Sequence, residues 1–418
     1  MSPVHVTAYL TAAILVQSGS DPDIHTTRQT LTISELPYDA RLVTFLPDHQ
    51  VELKHGDNTH VLPLNDLISW GSYTDQDRQP HVYLRDGSVL TAEIMRITST
   101  QVSLYSRIFT EVQIPRPLIR AIVFVPRAHA LARDRFRKQI LSYNSKLDTV
   151  HFTNGDTLRG AYVATSNPRS ANLTDHIGFQ AERRRTPFSI PLQRLNALIF
   201  RSQTQRDLRA ETKQQTPPRL SLGFADGSLI HIDAIMSNQT QVQLHVNREL
   251  ILSAATPTFH RELTQLQTHT PRVTFVSDLK PSSYRHIPFL RQSWPQGTDE
   301  NALGGRLRYA GAVHAKGIGM HSASRITYQI DRKFRWFQAE LAIDQAAANR
   351  GSVVFRVFLQ RDEKWAATYK SPVIRGTTRP LAIKLEVAGA DAIALLVEFA
   401  DQGDERDYAN WLNARLSN

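Results

Sequence analysis

Residues 316–328 read Lys-Gly-Ile-Gly-Met-His-Ser-Ala-Ser-Arg-Ile-Thr-Tyr, and this stretch decides the fold more than any other. Its two glycines, Gly317 and Gly319, let the backbone turn and approach a neighbouring segment closely. His321 and small hydroxyl residues follow, and over 325–330 apolar and polar side chains alternate as in a half-buried strand. The stretch therefore predicts a tight, polar turn that leads into a sheet.

Alternation of the same kind continues on the C-terminal side of this turn. It occurs in four further segments, at 336–343, 352–359, 381–387 and 392–399. Glycine or aspartate stands in the turns between them, and the spacing is typical of two packed antiparallel sheets. The C-terminal third of the chain is therefore predicted to be a β-sandwich.

Two short phrases flank the central turn, Phe-Val-Ser-Asp-Leu at 275–279 and Asp-Tyr-Ala-Asn-Trp at 407–411. In this order, the three phrases resemble the NPCBM family of carbohydrate-binding modules, which are found appended to glycoside hydrolases. The resemblance covers roughly residues 272–416. It implies a galactose-binding-like jelly-roll sandwich over 271–418, and it implies carbohydrate as the partner, with a galactose-type glycan as the candidate ligand.

Sugar recognition needs a flat aromatic ring against the apolar face of the sugar and planar polar side chains for its hydroxyls. The candidates for carbohydrate binding are His321, Trp294, Asp278, Tyr408, Asn410, Trp411 and Arg325, with Trp365 as a further aromatic. Several have structural alternatives. His321 could cap its turn, Asp278 could belong to a structural turn, and the position of Trp411 beside Leu412 favours core packing.

The sequence departs from the family pattern at two places. The family usually carries Asp-His-Ala-Asp-Trp where this chain has Tyr408 and Asn410, and Gly-Val/Ile-Asp-Asp where 342–345 reads Ala-Ile-Asp-Gln. Both changes remove charge that could hold a hard cation or a sugar hydroxyl. We therefore predict no cofactor and no metal, and these changes argue against Ca²⁺. A scaffold protein that keeps the fold but no longer binds sugar is the alternative hypothesis.

The rest of the chain contains an internal repeat. Strand–turn–strand phrases with Asp-Gly or Asn-Gly at the turn recur at 82–90, 150–158 and 222–230, and such pairs are the strongest hairpin signal because both residues tolerate positive φ. An Ile-Pro or Leu-Pro phrase that ends in an apolar run follows the first two hairpins, with an earlier echo at 62–70. The pattern predicts repeated small β-barrel-like units, similar to SH3-like or Sm-like barrels.

These signals divide the chain into four parts. Residues 1–30 form a leader, 31–127 a β-repeat unit, 128–270 a linker helix with further β-repeat units, and 271–418 the sandwich. The helix is predicted over 128–142, and 202–219 reads as an exposed linker. The fold class is therefore all-β, and the repeats offer surfaces for protein partners.

Charge and composition exclude several functions. The net charge is +10, from 49 Lys and Arg against 39 Asp and Glu, but the surplus is spread along the chain. The tightest basic cluster, 183–185, lies between strand candidates and reads as a solvated loop. Nucleic-acid binding needs a basic face with stacking aromatics or a recognition helix, and the sequence shows neither. We therefore predict that the protein does not bind nucleic acid. With no cysteine, the chain has neither disulfides nor thiolate sites.

Catalytic motifs are also missing. The adjacent acidic pairs, at 299–300, 362–363 and 404–405, stand in turn-like contexts, and no nucleophile elbow or zinc-protease motif occurs. We therefore predict a non-catalytic protein.

An apolar stretch at 8–16 suits the core of a signal peptide, although its flank holds His5 and no Lys or Arg, so a frayed N-terminus is the alternative. No segment reaches transmembrane length, and export to the periplasm, envelope or exterior is predicted.

Overall fold

The computed structural model describes residues 27–46, 48–164, 176–202, 220–288, 293–401 and 403–418. The apolar stretch at 8–16 and nearly all of the linker at 202–219 lie outside these ranges. Strands dominate, and two helices are present in the described part, α1 (Ala130–Leu141) and α2 (Thr256–Glu262). Neither is long and apolar enough to cross a membrane. The all-β prediction is confirmed.

Four units with a common strand order precede the sandwich. In each, a hairpin is followed by two or three further strands and then by a last strand that returns to pair with the first. Units 1 and 2 contain β1 (Arg28–Thr32), β2 (Tyr38–Leu46), β3 (Gln50–His55), β4 (Asn58–Pro63), β5 (Leu67–Gly71), β6 (His81–Leu84), β7 (Val89–Thr91), β8 (Glu93–Ile97), β9 (Gln101–Ser106), β10 (Thr110–Pro115) and β11 (Ile119–Val123). The range 31–127, predicted as one unit, therefore holds two.

Units 3 and 4 follow α1 and repeat this order. Their strands are β12 (Asp148–Phe152), β13 (Thr157–Val163), β14 (His176–Ala181), β15 (Phe188–Pro191), β16 (Leu195–Ile199), β17 (Leu220–Phe224), β18 (Leu229–Ile232), β19 (Ala234–Ser237), β20 (Gln241–His245), β21 (Ile251–Ala255) and β22 (Leu263–Thr268). In units 2 and 3 a single 3₁₀ turn precedes the last strand, as the proline phrases predict, and in unit 4 the short helix α2 takes its place.

The three predicted hairpins are present, and their turns are alike. Gly87, Gly155 and Gly227 have φ of 94°, 95° and 88°. Only the glycine of each pair has positive φ. The residue before it contributes to the turn by accepting a hydrogen bond through its side chain. In the first turn, Asp86 Oδ1 accepts a hydrogen bond from the backbone N–H of Ser88 at 2.8 Å, and the same bond recurs in the other two turns.

The four units join edge to edge. The last strands of units 1 and 4 pair with each other (β5 with β22), as do those of units 2 and 3 (β11 with β16), and β7 of unit 2 meets β18 of unit 4. The result is one sheet of 16 strands, and a single apolar core runs through all four units. Because paired edges have no free backbone N–H and C=O groups, this assembly protects them from unwanted pairing.

The sandwich consists of two sheets. Its strands are β23 (Val273–Phe275), β24 (Ser283–His286), β25 (Gly297–Thr298), β26 (Leu307–Tyr309), β27 (Ala312–His314), β28 (Gly317–His321), β29 (Ser324–Gln329), β30 (Trp336–Ile343), β31 (Ser352–Arg361), β32 (Lys364–Lys370), β33 (Ile374–Arg375), β34 (Leu381–Glu386), β35 (Ala392–Phe399) and β36 (Tyr408–Ser417). One sheet runs β25-β28-β36-β30-β34, and the other runs β24-β29-β35-β31-β32. The predicted jelly-roll sandwich is confirmed.

The sandwich is docked on the units through a buried ion network. Asp75, from the segment between units 1 and 2, and Asp134, from α1, face Arg133, Arg306 and Arg308. The N···O distances of these pairs run from 2.6 to 3.1 Å. Although burial alone would raise it, these arginines hold the pKa of Asp75 well below its usual range. The predicted helix is present, and it contacts the sandwich as well as linking two units.

Candidate functional site

An aromatic cluster forms where β28 ends and β36 begins. His321, the last residue of β28, lies opposite Tyr408, the first residue of β36, because the two strands pair in that register. The ring of Trp294, from the loop before β25, stacks on His321 with the ring centroids 4.7 Å apart and the planes at 4°. His286 and Tyr408 each meet the His321 ring at a centroid distance of 5.9 Å.

Hydrogen bonds attach the Trp294 segment to the neighbouring strand β24. The backbone N–H of Trp294 donates to His286 Nδ1 at 3.2 Å, and the hydroxyl of Tyr284 donates to the Trp294 carbonyl at 2.8 Å. The Tyr284 oxygen also lies 3.2 Å from Ser324 Oγ. Because alternate residues of a strand share a face, Tyr284 and His286 both reach this segment. The ring of Trp294 is therefore fixed by main-chain contacts as well as by stacking.

The exposure of the rings differs. His321 is 3% exposed, whereas Trp294 and Tyr408 are half-buried and reach the surface. His321 therefore supports the cluster from beneath, and Trp294 and Tyr408 are the rings that a ligand could touch. Burial lowers the pKa of His321 and also that of His286, so both imidazoles are neutral near pH 7.

Polar groups are buried beneath the cluster. Within the described ranges, His321 Nδ1, Ser322 Oγ and Asp407 Oδ2 lack a close, well-aligned hydrogen bond, although the Ser322 hydroxyl lies near enough to Asp407 to stabilise its carboxylate. The other oxygen of Asp407 accepts from the backbone N–H of Ser352 at 2.8 Å. Burial raises the pKa of Asp407 to about 6. Buried polar atoms of this kind are uncommon in folded proteins and often mark sites that bind water, ions or ligands.

Two of the residues singled out from the sequence belong to the interior. Asn410 is fully buried, and its Nδ2 donates to Asp344 Oδ2 at 2.8 Å. Trp411 is also fully buried and packs against Phe337 and Phe355, the latter at a centroid distance of 4.9 Å with the rings nearly perpendicular. Neither side chain offers a surface to a ligand, so their role is structural.

Asp344 connects Asn410 to the loop that precedes β26. The Nδ2 of Asn301 donates to Asp344 Oδ1 at 3.1 Å, and the backbone N–H of Arg308 donates to Oδ2 at 3.0 Å. Burial raises the pKa of Asp344, and these donors oppose that shift by stabilising the carboxylate. The carboxylate expected from the family pattern at 344 is thus present and serves as an internal hydrogen-bond acceptor.

The remaining candidates lie outside the cluster. Asp278 is exposed and forms an ion pair with Lys316 Nζ at 2.5 Å. Arg325 is exposed on β29, and strand alternation directs it to the face opposite its neighbour Ser324. Trp365 lies on β32, an edge strand separated from β29 by two others. The structure therefore brings together Trp294, His321 and Tyr408 and separates them from the other four candidates and from Trp365.

His286 is the member of the cluster that sequence reasoning missed. Its local signal is weak, since β24 is four residues long and only the alternation of Tyr284 with His286 marks a common face. No three His, Cys, Asp or Glu side chains of the described segments converge as metal ligands would. The expectation concerning Ca²⁺ stays a prediction.

Comparison with known proteins classifies the C-terminal domain. Residues 272–417 match the family model of the NPCBM/NEW2 domain, which confirms the resemblance seen in the sequence. A Renibacterium salmoninarum protein named as an endo-alpha-N-acetylgalactosaminidase is 29% identical over 110 residues, which are 26% of this chain and 7% of that protein. The chain thus matches only a small part of that relative.

Solved structures of carbohydrate-binding modules are also similar. The CBM51 module of Clostridium perfringens GH95, solved in complex with methyl-galactose, is 22% identical, with 35% of this chain and 99% of that chain covered and a TM-score of 0.30. The CBM51-2 and INT domains of Clostridium perfringens ZmpB are 23% identical, with 44% and 40% covered and a TM-score of 0.31. Because these scores are below 0.5, the classification rests on the family match.

Proposed function

We propose that the C-terminal domain binds a neutral glycan at the aromatic cluster, with Trp294 and Tyr408 against the apolar face of a sugar ring. The observation that carries this proposal is the Trp294 ring, which is partly exposed and is stacked on a buried His321. A ring already immobilised loses little conformational entropy when a ligand binds, so more of the contact energy appears as affinity. The sugar hydroxyls would form hydrogen bonds with the half-buried His286 imidazole and the Tyr408 hydroxyl.

The proposed ligand class is a galactose-type glycan. It is supported by the NPCBM/NEW2 match and by the methyl-galactose bound to one similar module. The proposed role is non-catalytic, and it is supported by the lack of a hydrolase motif in the sequence. Because similar modules occur in enzymes that act on glycans, the protein would act outside the cytoplasm, with the four units as a frame or as surfaces for protein partners.

A scaffold without sugar affinity is the second candidate. One specific observation favours it: His321 is only 3% exposed. The first candidate from the sequence therefore cannot contact a ligand directly. The engagement of Asn410 by Asp344 favours it as well. In this case the stacked rings would only secure the loop before β25.

A glycan array probed with the full chain tests the proposal, followed by calorimetric titration with methyl-galactoside. We expect saturable binding that Trp294→Ala or Tyr408→Ala weakens about tenfold, which corresponds to about 1.4 kcal/mol. Tyr105→Ala is the matched control, since Tyr105 is an exposed aromatic residue of unit 2. A folded wild-type chain that binds no glycan would establish the scaffold function instead.

A further inference from the structure

A cavity lies between α1, unit 4 and the sandwich, away from the aromatic cluster. Its volume is about 540 Å³, within the range of small-molecule sites, and it lies at a domain interface, where such sites are common. Arg137 of α1, His231 and Gln267 of unit 4, and the loop 298–306 of the sandwich contribute to its walls. None of the four rings of the aromatic cluster does.

The acidic side chains in the wall are already neutralised. Each has a cationic partner: Asp134 pairs with Arg306 and Arg308, Asp299 with Lys316, and Glu300 with Lys138. The distances of these pairs lie between 2.7 and 3.1 Å. The carboxylates of the cavity are therefore not available to bind a cation.

Arg137 is different, because it forms no direct ion pair with a described carboxylate, and Asp134 attracts its charge only at longer range. Its Nε is buried without a hydrogen-bond partner, and no residue in the described part of the chain forms an ion pair or a hydrogen bond with this guanidinium. Burial, together with the charge of Arg306, lowers the pKa of Arg137, yet a guanidinium remains charged at neutral pH. Arg137 is half-buried, its buried Nε lacks a partner at some cost, and an anion bound in the cavity would remove that cost.

The rest of the wall is polar and neutral. Gln265 and Gln267 are 8% and 4% exposed, and both line the cavity. Ser221 Oγ lies 2.8 Å from both His231 Nδ1 and His269 Nε2. Burial lowers the pKa of His231 to about 4 and also lowers that of His269, so both rings are uncharged near pH 7.

We propose that this cavity binds a small polyhydroxy acid of the uronic acid class, with its carboxylate on Arg137 and its hydroxyls on Gln265 and Gln267. One positive charge beside several planar neutral groups matches one carboxylate beside several hydroxyls. A neutral sugar would leave Arg137 unpaired, and a bare oxyanion would not engage the two amides. The proposal is independent of glycan binding at the aromatic cluster.

Calorimetric titration of the full chain at pH 7 tests this. The ligands are D-galacturonate, D-galactose, acetate and inorganic phosphate. We expect saturable galacturonate binding at least tenfold tighter than that of the other three. Arg137→Gln should weaken it at least tenfold, whereas Arg159→Gln, which removes the same charge from an exposed position on β13, should not. Galactose binding that survives Arg137→Gln belongs to the aromatic cluster.

Thermal unfolding without ligand separates binding from a structural role. Since Arg137 has no direct ion pair to lose, Arg137→Gln should unfold at the same temperature as the wild type or higher. A lower unfolding temperature would identify a structural arginine. The proposal is overturned by that result, by unchanged galacturonate affinity in the variant, by a wild type that binds no galacturonate, or by phosphate binding as tight as that of galacturonate.

Discussion

Replacing Asp134 by asparagine should weaken the docking of the sandwich on the four units. The Asp134 side chain is 4% exposed and accepts from the Nε and backbone N–H of Arg306 and from both terminal nitrogens of Arg308, at 2.8 to 3.1 Å. Asparagine keeps the size of the side chain but removes its charge. Three arginines would then face Asp75 alone.

The size of the effect follows from burial. Breaking a buried ion pair by removing one partner costs about 3–5 kcal/mol, because the other charge stays desolvated. The matched control is Glu300→Gln, which removes the partner of Lys138 on the same helix. Those two side chains are 29% and 64% exposed, so we expect a loss below about 1 kcal/mol. Both sets of pairs connect α1 to the same part of the sandwich, but Asp134 is buried and holds two arginines, whereas Glu300 is more exposed and holds one lysine.

Urea denaturation followed by tryptophan fluorescence measures the difference. Four of the five tryptophans belong to the sandwich, so the signal reports mainly on that domain. We expect Asp134→Asn to lower the midpoint clearly, or to separate the sandwich transition from that of the units, with Glu300→Gln close to wild type. If the two variants lost equal stability, the ion network would not be the basis of docking.

Two further predictions concern the region around the aromatic cluster. The pKa of Asp407 is about 6 in the folded protein and near 4 in the unfolded chain. The protonated side chain therefore stabilises the fold fully below pH 4. This stabilisation, up to about 3 kcal/mol, is lost as the pH rises through 6. Asp407→Asn should therefore flatten the melting temperature between pH 4 and 7 and raise it at pH 7.5; a retained slope in a thermal-shift series would contradict this. In Gly319→Ala, the new Cβ would lie 2.3 Å from the Glu300 carbonyl oxygen and 2.5 Å from Asn301 Cα. Since this backbone must shift, we expect a loss of about 1–3 kcal/mol in urea denaturation, and an unchanged midpoint would refute the close contact.

The strands could be predicted from the sequence because a half-buried strand has its own local period. The segments 336–343 and 392–399 coincide with β30 and β35, and the helix predicted at 128–142 is observed at 130–141. Three hairpin turns were likewise predictable, since glycine conformation is a local property. The division of 31–127 into two units was missed because unit 1 has no Asp-Gly hairpin, only the echo at 62–70 that becomes β5.

The candidate site was only partly predictable, because burial and pairing depend on distant segments. His321 was found from its turn, but the Trp294 ring that covers it comes from a loop with no periodic pattern. Asn410 replaces an aspartate of the family phrase, and only the fold shows that its side chain binds Asp344. The pair at 299–300 reads as a solvated loop, yet Asp299 accepts from the backbone N–H of Gly317 and pairs with Lys316.

The segment 293–308 explains why the units matter to the sandwich. It carries Trp294 at one end and Arg306 and Arg308 at the other, and between them Asn301 binds Asp344 in the sandwich interior. Among the described residues, the two arginines have Asp75 and Asp134 as their carboxylate partners, and the units supply both. In an isolated sandwich both guanidinium groups would lose those partners and turn towards solvent. The contacts of Arg306 and Arg308 therefore depend on the docked assembly, and binding is measured on the full chain so that this end of the segment keeps its partners.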